Sequence, residues 1–167
     1  ENLSVTFSML GGRVQAVRDA SLRVMPGKVT ALVGESGSGK SVISQAVLGI
    51  LPRIARPSGR ILFDDPRSAA GPVDILGLPP DGPAIRALRG GRIGMIFQEP
   101  MTSLSPLHTV GDQVGEALGI HETTTRTERR ARTEEMLSLV GFPNPAKAFG
   151  MYPFELSGGM RQRAMIA

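Results

Sequence analysis

The chain has no cysteine and no tryptophan, a single tyrosine, Tyr152, and only two histidines, His108 and His121, in 167 residues. Each shortage removes a class of chemistry. Without cysteine there is no disulfide framework and no thiolate metal site. Two histidines argue against a His-rich metal centre. One tyrosine and no tryptophan leave no stacking platform for single-stranded nucleic acid. No run of about 18 uncharged apolar residues occurs, so no membrane-spanning helix is expected. The opening ENLSVTF lacks the basic start and the long apolar run of a signal peptide, which points to cytosolic residence.

Glycine (21) and proline (13) are plentiful, so many turns are expected. The 41% hydrophobic content suits one globular domain, or one domain and part of another. The net charge of +4 suggests an anionic partner. The densest basic run, 126–132, is however interleaved or flanked with Glu128, Glu134 and Glu135. It reads as a solvated helix face carrying local ion pairs.

Leu3, Val5 and Phe7 alternate with polar residues, the period of a half-buried strand. Further strands are expected at 14–17 and 21–25, with turns at Gly11-Gly12 and Pro26-Gly27. Residues 29–33 (VTALV) form a short apolar run ending at glycine, which predicts a buried strand. From Lys40 the period changes. Val42, Ile43, Ala46, Val47 and Ile50 fall at helical intervals over 40–51, and Pro52 and Pro57 end that segment. Residues 59–63 (GRILF) and 92–97 (RIGMIF) read as strands. A Pro- and Gly-rich loop over 64–83 holds a short strand near 73–76, and 84–88 a helical turn. Beyond Thr109 the chain turns helical. Segments are expected over 109–118, over 125–140 opened by a Thr125/Glu128 capping box, over 146–149, and after a cap at Ser157. Met136, Leu137 and Val140 form the expected buried side of the second.

Residues 34–41 (GESGSGKS) match G-x-x-x-x-G-K-[ST] in full, between an expected strand and an expected helix. That context is what the chemistry needs. Glycines let successive N–H groups curl around a phosphate, and the helix adds its positive end. Lys40 supplies charge to the outer phosphates of a nucleoside triphosphate, and Ser41 a hydroxyl for Mg²⁺. Two later segments narrow this. Residues 95–106 (MIFQEPMTSLSP) deliver Gln98 to the end of a strand, where its carbonyl can reach Mg²⁺ and its amide an attacking water; taken alone, the residue reads equally as a surface glutamine after an edge strand. Residues 156–163 (LSGGMRQR) open a helix with Ser157 and two glycines, a second anion-facing terminus.

With these three motifs in order, the chain resembles the ATPase subunits of ABC transporters. GESGSGKS looks like their Walker A, Gln98 like their Q-loop glutamine, and LSGGM like their signature. The wording of all three, including Met160, resembles the dipeptide, oligopeptide and nickel importer branch. The resemblance covers essentially the whole chain. It implies an α/β fold: a P-loop NTPase core with an N-terminal antiparallel β subdomain and an inserted α-helical subdomain. Expected divisions are 1–98, 99–156 and 157–167.

The resemblance also implies function. ATP with Mg²⁺ would be held by Gly34, Glu35, Ser36, Gly37, Ser38, Gly39, Lys40, Ser41 and Val42. Ser157, Gly158, Gly159 and Met160 would face a nucleotide on a second, head-to-tail subunit. Gln98 would be catalytic and, with Ser41, a metal contact. Permease subunits would be met through residues from Gln98 to Ser105, and an extracytoplasmic solute-binding protein indirectly. No nucleic acid partner is expected. The location implied is the cytoplasmic face of the membrane, peripheral.

Two departures bear on this. No aromatic residue lies between Phe7 and the phosphate loop, so Phe7 is the candidate for stacking on adenine. The family's Walker B strand, catalytic Glu and switch His follow the signature, and the sequence stops at Ala167. This predicts a piece of a longer importer ATPase, truncated before Walker B, that by itself holds ATP without cleaving it efficiently. The competing readings are an ABC ATPase of DNA repair or translation, and a non-hydrolysing nucleotide-binding module.

Overall fold

The computed structural model describes residues 1–97 and 103–167. The chain divides into two compact units, Glu1–Ile93 and Gly94–Ala167.

The first unit is built on an antiparallel hairpin, β1 (Leu3–Met9) and β2 (Gly12–Ala20). Gly12 takes a φ of 132° at the turn, where an L side chain would be strained. A third strand, β3 (Ala55–Ser58), adds antiparallel to the other side of β1, giving the order β2-β1-β3. The alternation read from Leu3, Val5 and Phe7 puts Leu3 and Val5 in the core, with Val5 fully buried. Helix α1 (Lys40–Val47) contributes Ala46 to the same core, with Val42 and Ile43 packed against it. A small ribbon of β4 (Leu62–Phe63) and β5 (Val73–Asp74) follows, then a 3-10 turn over Ile75–Gly77 and helix α2 (Pro83–Leu88). The Asp74 carboxylate accepts from the N–H groups of Ile61 and Leu76 at 3.1 and 3.2 Å, fixing that corner.

Several expected strands differ. β3 was hidden by Pro57, which the alternation rule treats as a breaker. Pro57 is tolerated because β3 lies at a sheet edge, where a missing N–H breaks no interior ladder. In place of one strand over 59–63, only Leu62 and Phe63 pair. Residues 21–25 and 29–33 belong to no described strand, and Val29 and Val33 are 99% and 89% exposed. In 92–97 only Ile93 pairs, through one bridge to Arg89. An apolar run becomes a buried strand only when neighbouring strands satisfy its backbone and cover its faces. No described strand pairs with 29–33.

The second unit is helical: α3 (Val110–His121), α4 (Arg126–Leu139), α5 (Pro145–Phe149) and α6 (Gly158–Ile166), with a 3-10 turn at Pro153–Glu155. The expected capping box is present. The Thr125 hydroxyl accepts from the Glu128 N–H, and the Glu128 carboxylate accepts from the Thr125 N–H at 2.8 Å. Thr109 and Asn144 cap α3 and α5. Val110, Val114, Leu137, Phe142, Ala148, Leu156 and Ala164 form the core. Of the expected buried side of α4, Leu137 is fully buried while Met136 and Val140 pack at its margin. Thr133 is buried too, its hydroxyl donating to the Arg129 carbonyl at 2.8 Å. Ion pairs Arg130–Glu134 and Arg132–Glu122 tie the basic run as expected. Among the described residues no helix is long and apolar enough to cross a membrane.

Candidate functional site

The loop of residues 34–41 is shaped by its glycines. Gly37 and Gly39 take φ of 80° and 89°, so the chain can reverse and enter α1 with Gly39 as its N-cap. A Cβ on Gly34 would stand 2.8 Å from the Ser38 Oγ, and one on Gly39 2.5 Å from the Ala16 carbonyl oxygen on β2. The loop is therefore drawn tight on itself and against β2. No side chain caps α1, and no acidic residue lies in its first turn. The first N–H groups of a helix have no intrahelical acceptor, so this terminus is open to an anion. Lys40 Nζ donates to the carbonyl oxygens of Gly34 and Glu35 at 2.8 and 2.6 Å, and to Ser38 Oγ at 3.3 Å. Its ammonium thus lies within the turn of its own loop. Ser41 follows at the second helical position and is exposed, and Val42 packs its side chain partly against the sheet. Phe7 also packs against that core.

In the second unit, Ser157 caps α6, its Oγ accepting from the Met160 N–H at 3.3 Å. Leu156 is buried in the core and anchors the turn. Arg161 Nε donates to the carbonyl oxygens of Pro153 and Leu156 at 2.7 and 3.2 Å, holding the approach to Ser157 in place. Gly158 and Gly159 are exposed, and a Cβ on either would meet nothing within 4 Å. Among the described residues nothing requires glycine there, although glycine weakens a helix by about 1 kcal/mol relative to alanine.

Gln98, together with Glu99 and the residues up to Thr102, lies outside the described residues. The loop resumes in described structure before α3. A groove of about 520 Å³ runs between α3 and α4, with Gly111, Gly115 and Gly119 on one wall and Arg126, Arg129 and Arg130 on the other.

The model of the family described as ABC transporter matches residues 17–167. The chain belongs to the ABC transporter family. Among curated relatives of this ABC chain, the peptidoglycan transport ATP-binding protein YejF of Agrobacterium fabrum is 52% identical over 99% of it and 29% of the relative. The dipeptide transport ATP-binding protein DppD of Bacillus subtilis is 46% identical over all of the chain and 48% of the relative. The oligopeptide transport ATP-binding protein OppD of Mycobacterium tuberculosis is 44% identical over 99% of the chain and 26% of the relative. The chain thus spans between about a quarter and a half of these relatives' lengths. A dimeric structure of the ATP-binding cassette MJ0796, in a post-hydrolysis state bound to ADP and Pi, superposes with a TM-score of 0.82 at 25% identity, over 99% of this chain and 66% of that one. The fold of the ABC chain is accordingly that of ABC ATPase cassettes.

The residues present fit the nucleotide such cassettes hold. The glycine-drawn cradle, the uncapped α1 terminus and the Lys40 ammonium are chemically suited to a polyphosphate. Mg²⁺ brought with a triphosphate needs only one or two protein ligands, its other positions being filled by phosphate and water. The exposed Ser41 hydroxyl is a chemically suitable one. Sequence reasoning missed the supporting residues. Ala16, which closes on Gly39, has no motif to mark it, and Arg161, which braces the turn before Ser157, lies within LSGGMRQR but was given no role there. Each acts through tertiary contact with backbone.

Proposed function

We propose that this chain is the nucleotide-binding part of an ATPase subunit that drives import of peptides or a related small solute, such as nickel. ATP with Mg²⁺ is held by the loop from Gly34 to Ser41 and the first turn of α1 including Val42. The observation that supports the proposal is the pair of glycine-rich helix starts: one with the Lys40 ammonium held in its loop, the other with no atom within 4 Å of a Cβ added at Gly158 or Gly159. Membership of the ABC family and the dipeptide and oligopeptide transport roles by which these relatives are named support the peptide branch.

In this reading two subunits associate head to tail, and Ser157, Gly158, Gly159 and Met160 complete the site on the partner. Mg²⁺ neutralises developing phosphate charge when bound. The residues of this chain do the rest. Lys40 would exchange its loop carbonyls for phosphate oxygens, and the Ser41 hydroxyl would hold the metal. Gln98 orients the attacking water. The open N–H groups of α1 and α6 hold charge as it builds in transfer. Residues from Gln98 to Ser105 meet the permease at the cytoplasmic face of the membrane. Closure driven by ATP is then a population shift, because the closed dimer binds the nucleotide from both sides.

The test is reconstitution of the full-length subunit with its permease and solute-binding protein. Uptake of a labelled dipeptide that needs ATP and stops with Lys40→Ala is the expected result. ATP hydrolysis indifferent to peptide and to permease would overturn the importer reading.

A further inference from the structure

We infer that Arg89 is a positioning residue for nucleotide binding, clamping the far end of the helix that the phosphate loop enters. Arg89 follows α2, and its guanidinium reaches back to the turn that ends α1. Its Nε donates to the Leu48 carbonyl oxygen at 2.8 Å, and its Nη2 to the Gly49 carbonyl oxygen at 2.7 Å. The same Nη2 donates to the Pro80 carbonyl oxygen at 3.1 Å. One planar fork thus ties the end of α1 to the loop before α2.

α1 needs such an anchor. Its eight residues span about 12 Å, and a helix that short is marginal by itself. Its N-terminus has no side-chain cap. Its last carbonyls are satisfied by the turn that follows. The N–H groups of Leu48, Gly49 and Ile50 donate to the carbonyl oxygens of Ser44, Ala46 and Gln45 at 3.3, 3.0 and 3.0 Å. Arg89 fixes that turn through the turn's own carbonyls. The fit is close: Gly49 has a φ of 63°, and a Cβ there would stand 3.3 Å from Nη2 and 3.4 Å from the buried Ile85 side chain. A cation also suits this place, because the C-terminus of a helix carries partial negative charge. Among the described residues no carboxylate pairs with Arg89.

With α1 gripped at one end and packed through Ala46, the position of its other end is set. A phosphate arriving there meets a helix already in place. Without the grip, ordering the helix becomes a cost of binding. Arg89 lies at the opposite end of α1 from Lys40, so it acts through the helix and not by contact with the ligand. This rests on the function proposed above.

The experiment titrates the full-length subunit with a non-hydrolysable ATP analogue and Mg²⁺ by calorimetry, comparing wild type, Arg89→Leu and Arg89→Lys. Arg89→Leu should raise Kd about tenfold with the number of sites per chain unchanged, the effect of losing charge-assisted hydrogen bonds. Arg89→Lys, which keeps the charge and loses the fork, should raise it about threefold. Amide exchange at Leu48, Gly49 and Ile50 should quicken about tenfold in Arg89→Leu, while the amides of β1 keep wild-type protection. Wild-type Kd in both variants overturns the inference. So does a loss of sites at unchanged Kd, or exchange quickened equally in β1, since either marks a fold merely weakened. Should Arg89→Leu fail to fold, the Kd and exchange of Arg89→Lys decide. If wild type itself binds no analogue, the nucleotide reading fails instead. Exchange at 48–50 unchanged in Arg89→Leu then overturns the clamp independently.

Discussion

Lys40 and Gly34 are joined across the mouth of the phosphate loop, Nζ to carbonyl oxygen, at 2.8 Å. On the proposed function the ammonium would exchange these loop carbonyls for phosphate oxygens. Lys40→Ala removes a charge-assisted contact worth about 1.5–3 kcal/mol, a loss of about 10- to 100-fold in ATP affinity. Titration calorimetry with ATP measures it. Unchanged affinity would remove Lys40 from the site.

Gly39 is the position where the loop has least freedom. With φ at 89° and the Ala16 carbonyl oxygen 2.5 Å from an added Cβ, Gly39→Ala meets both backbone strain and a backbone clash. The left-handed conformation alone costs an L residue about 1–2 kcal/mol. Urea denaturation should show a loss at least that large, with ATP binding lost as the loop pulls away from β2.

Two other glycines separate packing from function. At Gly111 an added Cβ would stand 2.3–2.5 Å from the Phe149 ring, so Gly111→Ala should destabilise the helical unit by about 1–3 kcal/mol despite its better helix propensity. Gly159→Ala meets no atom within 4 Å. It should leave the denaturation midpoint unchanged or slightly raised, yet lower hydrolysis by the reconstituted importer about a hundredfold by blocking approach to the partner's nucleotide. Matched loss of stability in both variants would deny Gly159 that role.

The capping box makes the start of α4 sensitive to acid. The Glu128 carboxyl is held below its usual value of 4.5, first by the Thr125 hydroxyl and then by the Thr125 N–H, with Arg132 assisting. A carboxyl depressed in the folded state stabilises the fold above its unfolded pKa. That contribution is lost as pH falls through the lower, folded value. Circular dichroism should show α4 fraying below about pH 4.5 in wild type and no such step in Glu128→Gln. Thr125→Ala should cost about 1 kcal/mol near neutral pH.

Much of this protein was legible in local pattern because the physics there is local. The Thr125/Glu128 box and the Ser157 cap depend on residues three apart in the chain, and they formed as read. The β1 face followed from alternation at Leu3 and Val5. The candidate site motifs were readable for the same reason, since a cradle for phosphate is made by consecutive residues.

What the sequence by itself determined, then, is the caps at Thr125 and Ser157, the buried face of β1 and the glycine turn that leads into α1, where the spacing of neighbouring residues sets the backbone directly. Only the tertiary structure decided the fate of residues 29–33, which share the composition of a buried strand but lie exposed with no strand beside them. It also decided that Pro57 belongs to an edge strand against Val5, that Ala16 closes on Gly39, and that Arg89 holds the end of α1. In each case the deciding partner is the backbone of another segment. A backbone group carries no residue identity, so no motif announces it.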